Sequence, residues 1–132
     1  MLEVVRKGNK EYATDIPYST SERRIGTWID GKPLYRKVIQ TTTPNVITNG
    51  TEVWGQEDVA ENVSFIKVSE CYLISGNAML PIYYSVFNGY SIRCRTSISS
   101  SNNKGILEII SANKSLNNSN VIAIVEYTKT TD

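Results

Sequence analysis

The chain has 132 residues, with fourteen basic and thirteen acidic side chains, no histidine and a formal net charge of +1. A length of this order supports one domain whose core needs no metal or disulfide. The balanced, dispersed charge gives no broad attraction to nucleic acid or anionic lipid, and no apolar run approaches the roughly 20 residues of a membrane helix, so neither nucleic-acid binding nor membrane insertion is expected.

Residues 1–17 mix basic and acidic side chains, end at Pro17 and read as a polar lead-in or linker; the domain is expected over residues 18–132. From Ile25 the pattern turns to β-formers. Ile25 to Ile29 and Pro33 to Ile39 flank Asp30-Gly31, a pair that suits a tight type I′ turn, and the segment is expected to be a hairpin. Thr51 to Asn62 is acidic and contains the one stretch that suits a short helix, with Trp54 available to pack. Val63 to Ser75 is dense in Ile, Val and Tyr, breaks at Gly76-Asn77 and is read as one long strand.

Met79 to Phe87 is a further apolar run closed by Asn88-Gly89, a strong hairpin signal answered by Tyr90 to Ser97. There Ile92, Cys94, Thr96 and Ile98 alternate with Ser91, Arg93, Arg95 and Ser97, so one face is expected buried and the other wet. Ile106 to Ile110 is a short strand, and Val121 to Tyr127, apolar on both faces until Glu126, reads as a central one. About seven or more strands between Gly, Asn and Ser turns predict an all-β, antiparallel β-sandwich, jelly-roll-like in type.

Chemistry is limited by what is missing. Without histidine no Ser-His-Asp or Cys-His arrangement exists. Cys71 and Cys94 have no CxxC spacing and read as reduced, buried apolar residues. No catalytic residue, cofactor or metal site is expected. The carboxylates Glu70, Glu108 and Glu126 on strands, with Asp58 and Glu61 in the acidic segment, are the remaining candidates for glycoside hydrolysis, and common surface roles outweigh that reading. Aromatic rings stack on sugars at small entropy cost, which makes Tyr84, Asn88 and Tyr90 around the Asn88-Gly89 turn the candidate ligand-binding residues. Core packing is the stronger expectation for Trp28 and Trp54.

Tyr18-Ser19-Thr20 followed by the Ile25–Ile39 block IGTWIDGKPLYRKVI resembles a block near the ends of phage and prophage tail-fibre proteins. The closing VEYTKTTD of Val125–Asp132 resembles their terminal block, and Gly76-Asn77 with Leu80-Pro81 their central hairpin. The resemblance implies a β-rich head at the distal end of a virion tail protein, a homotrimer, and upstream tail-fibre or tail proteins as partners. It carries over no catalytic residue and no defined ligand. Relatives of this kind continue upstream into long fibre regions, so the chain reads as a fragment or a small separate product. Trp28, Tyr35 and Arg36 are then the candidate subunit-interface residues, with Trp28 as anchor. The expected function is trimeric assembly and binding to a bacterial surface polysaccharide. A purely structural trimerisation or capping module and a polysaccharide depolymerase are the alternatives.

Overall fold

A computed structural model of the chain describes residues 4–6, 11–13, 18–82 and 92–131. The described residues include ten strands and one short 3-10 turn: β1 (Val4–Arg6), β2 (Glu11–Ala13), β3 (Arg23–Thr27), β4 (Pro33–Thr42), β5 (Val53–Ala60), β6 (Val63–Ser75), β7 (Ala78–Pro81), β8 (Ile92–Ile98), β9 (Gly105–Ser111) and β10 (Asn120–Lys129), the turn lying at Lys114–Leu116. Strands β3-β4-β10-β6-β7 form a five-stranded antiparallel sheet and β5-β9-β8 a three-stranded one. The protein is an all-β sandwich, as its β-formers and turn residues predict. Within the lead-in, β1 and β2 pair with each other and join neither large sheet.

The chain passes between the sheets from β4 to β5, from β5 to β6, between β7 and β8, and from β9 to β10. These crossings seat β10 between β4 and β6, and β9 between β5 and β8. The strands contributed last thus fill the centres of both sheets. The long apolar run at the chain end explains why β10 is central. Val121, Ala123, Val125 and Tyr127 alternate into the space between the sheets and are essentially inaccessible. Leu107 and Ile109 of β9, Cys71 and Leu73 of β6, and Ile39 of β4 complete that core. Burying each such aliphatic side chain contributes about 1.5–3 kcal/mol against the entropy of ordering the chain. At Gly105 an added Cβ would come 2.9 Å from Ile66 Cδ1 and 3.1 Å from Val63 Cγ2, so a larger residue where β9 starts would force those side chains of β6 to shift.

Two local readings change. The Asp30-Gly31 hairpin exists, with β3 pairing β4, but it is not a two-residue type I′ turn. Gly31 donates to the Trp28 carbonyl and takes φ +89°, Asp30 is absent from the left-handed region, and its side chain accepts from the Lys32 amide. The loop is therefore a three-residue turn closed by a left-handed glycine, a turn type that needs positive φ only at its last residue, and the Asp30 carboxylate stabilises it. The second change is β5, where the acidic segment expected to hold a helical turn forms an edge strand paired with β9. Its charged residues suit an edge, where they discourage pairing with another chain.

The Gly76-Asn77 turn joins β6 and β7 as a two-residue hairpin, Ser75 pairing Ala78, with positive φ at Gly76 alone. The Asn88-Gly89 turn lies outside the described residues. Among the described residues, the strands nearest to it, β7 and β8, belong to different sheets, and β8 pairs with β9.

Candidate functional site

Because antiparallel partners share a face, the register of the three-stranded sheet sets out three rows on its outer side. Trp54, Ile110 and Arg93 form the first, Gln56, Glu108 and Arg95 the second, and Asp58, Ile106 and Ser97 the third. The alternation in β8 that turns Cys94 inward turns both arginines outward. The Arg95 guanidinium carbon lies 4.6 Å from the centroid of the Trp54 ring and that of Arg93 lies 5.9 Å away. Ile110, between Trp54 and Arg93 in the same row, is wholly inaccessible even though it faces outward.

Each arginine is fixed by a carboxylate. Arg93 Nη1 sits 2.7 Å from Glu52 Oε2, and its Nη2 donates to Oε1 at 3.2 Å, a two-pronged grip. Arg95 Nε donates to Glu108 Oε1 at 2.9 Å. Gln56 Nε2 donates to the other oxygen of Glu108 at 3.3 Å, and Ser97 Oγ lies 3.4 Å from Oε1. Glu108 is 5 % exposed, whereas Trp54 is 43 % exposed. A buried carboxylate thus sets the orientation of an arginine beside an open indole ring, with no net charge over the two arginines and their two glutamates. Such a face offers one large flat apolar surface ringed by fixed planar donors.

The outer face of the five-stranded sheet carries a second cluster. Glu126 of β10 pairs in register with Arg36 of β4 and Lys67 of β6. Arg36 Nη2 lies 2.8 Å and Lys67 Nζ 3.3 Å from its carboxylate oxygens. Burial pushes the Glu126 carboxyl up, but the hydrogen bonds and charges of Lys67 and Arg36 outweigh it and hold the group below the usual carboxylate range. Trp28 stacks on Phe65 with ring centroids 4.6 Å apart, Lys67 lies over the Trp28 ring at 5.7 Å, and the Arg36 guanidinium covers Tyr18 at 4.7 Å.

The ligand candidates Tyr84, Asn88 and Tyr90 lie outside the described residues. Of the interface candidates, Trp28 and Arg36 sit together on the outer face, but Tyr35 points the other way, stacking on Tyr127 of the core at 5.8 Å. Tyr127 donates its hydroxyl to Glu22, and burial together with that carboxylate drives its ionisation far above the ordinary tyrosine range.

The five candidate carboxylates are dispersed. Glu108 and Glu126 occupy opposite outer faces. Glu70 accepts from the Tyr72 hydroxyl at 2.6 Å, and Asp58 and Glu61 share Lys104 at 3.2 and 3.8 Å. Those last two line a polar cleft of about 560 Å³, where Lys37 donates to the Val59 carbonyl and Lys129 pairs with Glu22. Among the described residues, no group of three or more Cys, Asp or Glu is placed to hold a metal ion.

Trp54 is the residue that sequence reasoning assigned to packing. The i, i+2 spacing of Arg93 and Arg95 puts both on one face, but only the β5-β9-β8 pairing brings Trp54 to them. The arrangement defines an all-β sandwich bearing an aromatic and arginine face. No family model, curated protein or solved structure matches the chain.

Proposed function

We propose that the chain is the distal module of a phage-type tail fibre, acting as a homotrimer that binds a bacterial surface glycan, and that the Trp54 face makes the contact. The observation that carries this reading is the partly exposed Trp54 ring with the guanidinium of Arg95 held over it by buried Glu108. An indole stacks on the apolar side of a pyranose ring, and the Arg95, Gln56 and Ser97 donors lie where the sugar hydroxyls would be. Three weak copies of such a face on one fibre end gain strength by avidity when their spacing matches the polymer. The sequence blocks that resemble tail-fibre ends supply the biological setting.

The experiment is calorimetric titration of the chain with purified wall teichoic acid and a panel of capsular polysaccharides. Binding to one polymer that falls at least tenfold in Trp54→Ala supports the reading; retention of full affinity in that variant removes the Trp54 face from it.

A second reading, a structural trimerisation or capping module, is favoured by the outward row of Ile122 and Ile124 on β10. Both remain partly accessible beside Val38 and Tyr72. Subunit interfaces place apolar residues of this kind at their centres. Sedimentation equilibrium tests it: a trimer that dissociates on Ile124→Glu assigns this face to assembly, and a monomer at micromolar concentration contradicts both readings as they concern this chain alone.

A further inference from the structure

Cys71 and Cys94 come from different sheets, and both turn into the interior that the two sheets share. Cys71 of β6 stands opposite Ala123 of β10, and Cys94 of β8 stands opposite Ile109 of β9, both partners being core residues. Each cysteine is free and 4 % exposed. A bond from Thr96 Oγ1 to the Ile66 carbonyl at 3.4 Å ties the same two strands across the interior, so β8 lies over β6 and not merely near it. The neighbouring Cys94 thiol together with burial pushes the Cys71 thiol well above its ordinary value.

We propose that Cys71 and Cys94 form an oxidisable pair that closes into a disulfide bridging the two sheets, with a small-molecule disulfide of the glutathione class as oxidant. The bridge between facing sheets of antibody domains demonstrates that a sandwich interior accommodates such a bond. One cysteine thiolate attacks a sulfur of the small disulfide, forming a mixed disulfide and releasing one small thiol. The second thiolate then attacks the protein sulfur of that mixed disulfide, forming the Cys71–Cys94 bond and releasing the other small thiol. Two electrons pass from the cysteine pair to the oxidant, and the two cysteine protons end on the released thiols. Burial shields the pair in the folded chain, so oxidation runs through opened or refolding molecules and is slow in the native state.

Closing the bond fastens the sheet that bears Trp54 to the sheet that bears Glu126, and shortens the excursions available to the unfolded chain between the two cysteines. The pair is therefore a device that leaves the domain looser in a reducing compartment and tighter in an oxidising one. It stands independently of the ligand proposed for the Trp54 face.

The test is to refold the whole chain from denaturant in glutathione buffer with the oxidised form in excess, trap thiols with an alkylating agent, and weigh the product. The expected result is a chain with neither cysteine alkylated, lighter by two hydrogens, and melting about 10 °C above the same sample treated with dithiothreitol. Cys94→Ala should take up one glutathione at Cys71 and show no such rise. Two alkylatable thiols or two glutathione adducts on the wild-type chain would overturn the proposal, as would a rise in melting that persists in Cys94→Ala. Should Cys94→Ala not fold, the thiol count on the wild-type chain decides by itself.

Discussion

On the outer face of the five-stranded sheet, Glu126 is held between Arg36 and Lys67 while Trp28 lies flat on Phe65. On the outer face of the three-stranded sheet, Glu108 is held by Arg95 while Trp54 stays 43 % exposed. Both faces use a buried glutamate, an arginine on a neighbouring strand and a tryptophan beside cations. They differ in who covers the ring. Phe65 and Lys67 already occupy the Trp28 surroundings, and the Arg36 side chain is 20 % exposed against 43 % for Arg95. The same parts partly bury a stacked tryptophan on one face and leave a more exposed one under its arginines on the other, the face we propose for ligand binding.

That contrast is sharpest in the two glutamates. Removing the Glu126 carboxylate takes away the partner that the part-buried Arg36 guanidinium and Lys67 share, so Glu126→Ala is expected to cost about 3 kcal/mol in urea unfolding. Its depressed pKa gives the same interaction a pH signature. The folded chain binds the Glu126 proton less readily than the unfolded chain does. The contribution is therefore complete above the unfolded carboxyl range near about pH 4 and is lost as pH falls through the lower folded value. The acid limb of the stability curve should flatten in Glu126→Gln; an unchanged limb would mean that the clamp is not stabilising.

Trp28→Ala should come next, at about 2 kcal/mol, because it removes a stacked ring from a half-buried position, and it should leave glycan affinity within twofold of wild type. A melting temperature unchanged in that variant would also remove Trp28 as an anchor of the hairpin. Gly105→Ala should cost about 1–2 kcal/mol through the contact with Ile66 and Val63, without touching either outer face. The smallest stability effect is expected for Glu108→Gln, about 1 kcal/mol, since Arg95 can turn to water when its partner weakens. Its effect on binding should exceed its effect on folding, because Arg95 loses its fixed direction.

Much of the fold is legible along the chain, because apolar alternation and turn residues are local signals. Val63–Ser75 forms one strand with the predicted bounds, Gly76-Asn77 turns as expected, and the apolar run at Val121–Tyr127 becomes the centre of the larger sheet. The edge strand β5 is not legible because its inward positions include Gly55 and Glu57, which carry no apolar period. Glu57 reaches the rim instead and accepts from Thr41 on the facing sheet at 2.7 Å. Partner choice is equally hidden, since alternation marks β8 as a strand without saying that it pairs with β9 and not with β7. The candidate site depends on that pairing. Arg93 and Arg95 announce a shared face two residues apart, but Trp54 joins them only through β9, and nothing near Trp54 in the chain signals it.

The most direct test of the division between the faces is a glycan titration followed by tryptophan fluorescence in Trp28→Phe and Trp54→Phe. With Trp54 as the sole tryptophan, a saturable change in emission should appear at the wild-type affinity. With Trp28 alone, affinity should fall at least tenfold and the signal should stay flat. Full affinity in Trp54→Phe, with the emission change reported by Trp28, would place the ligand on the five-stranded sheet and contradict the account.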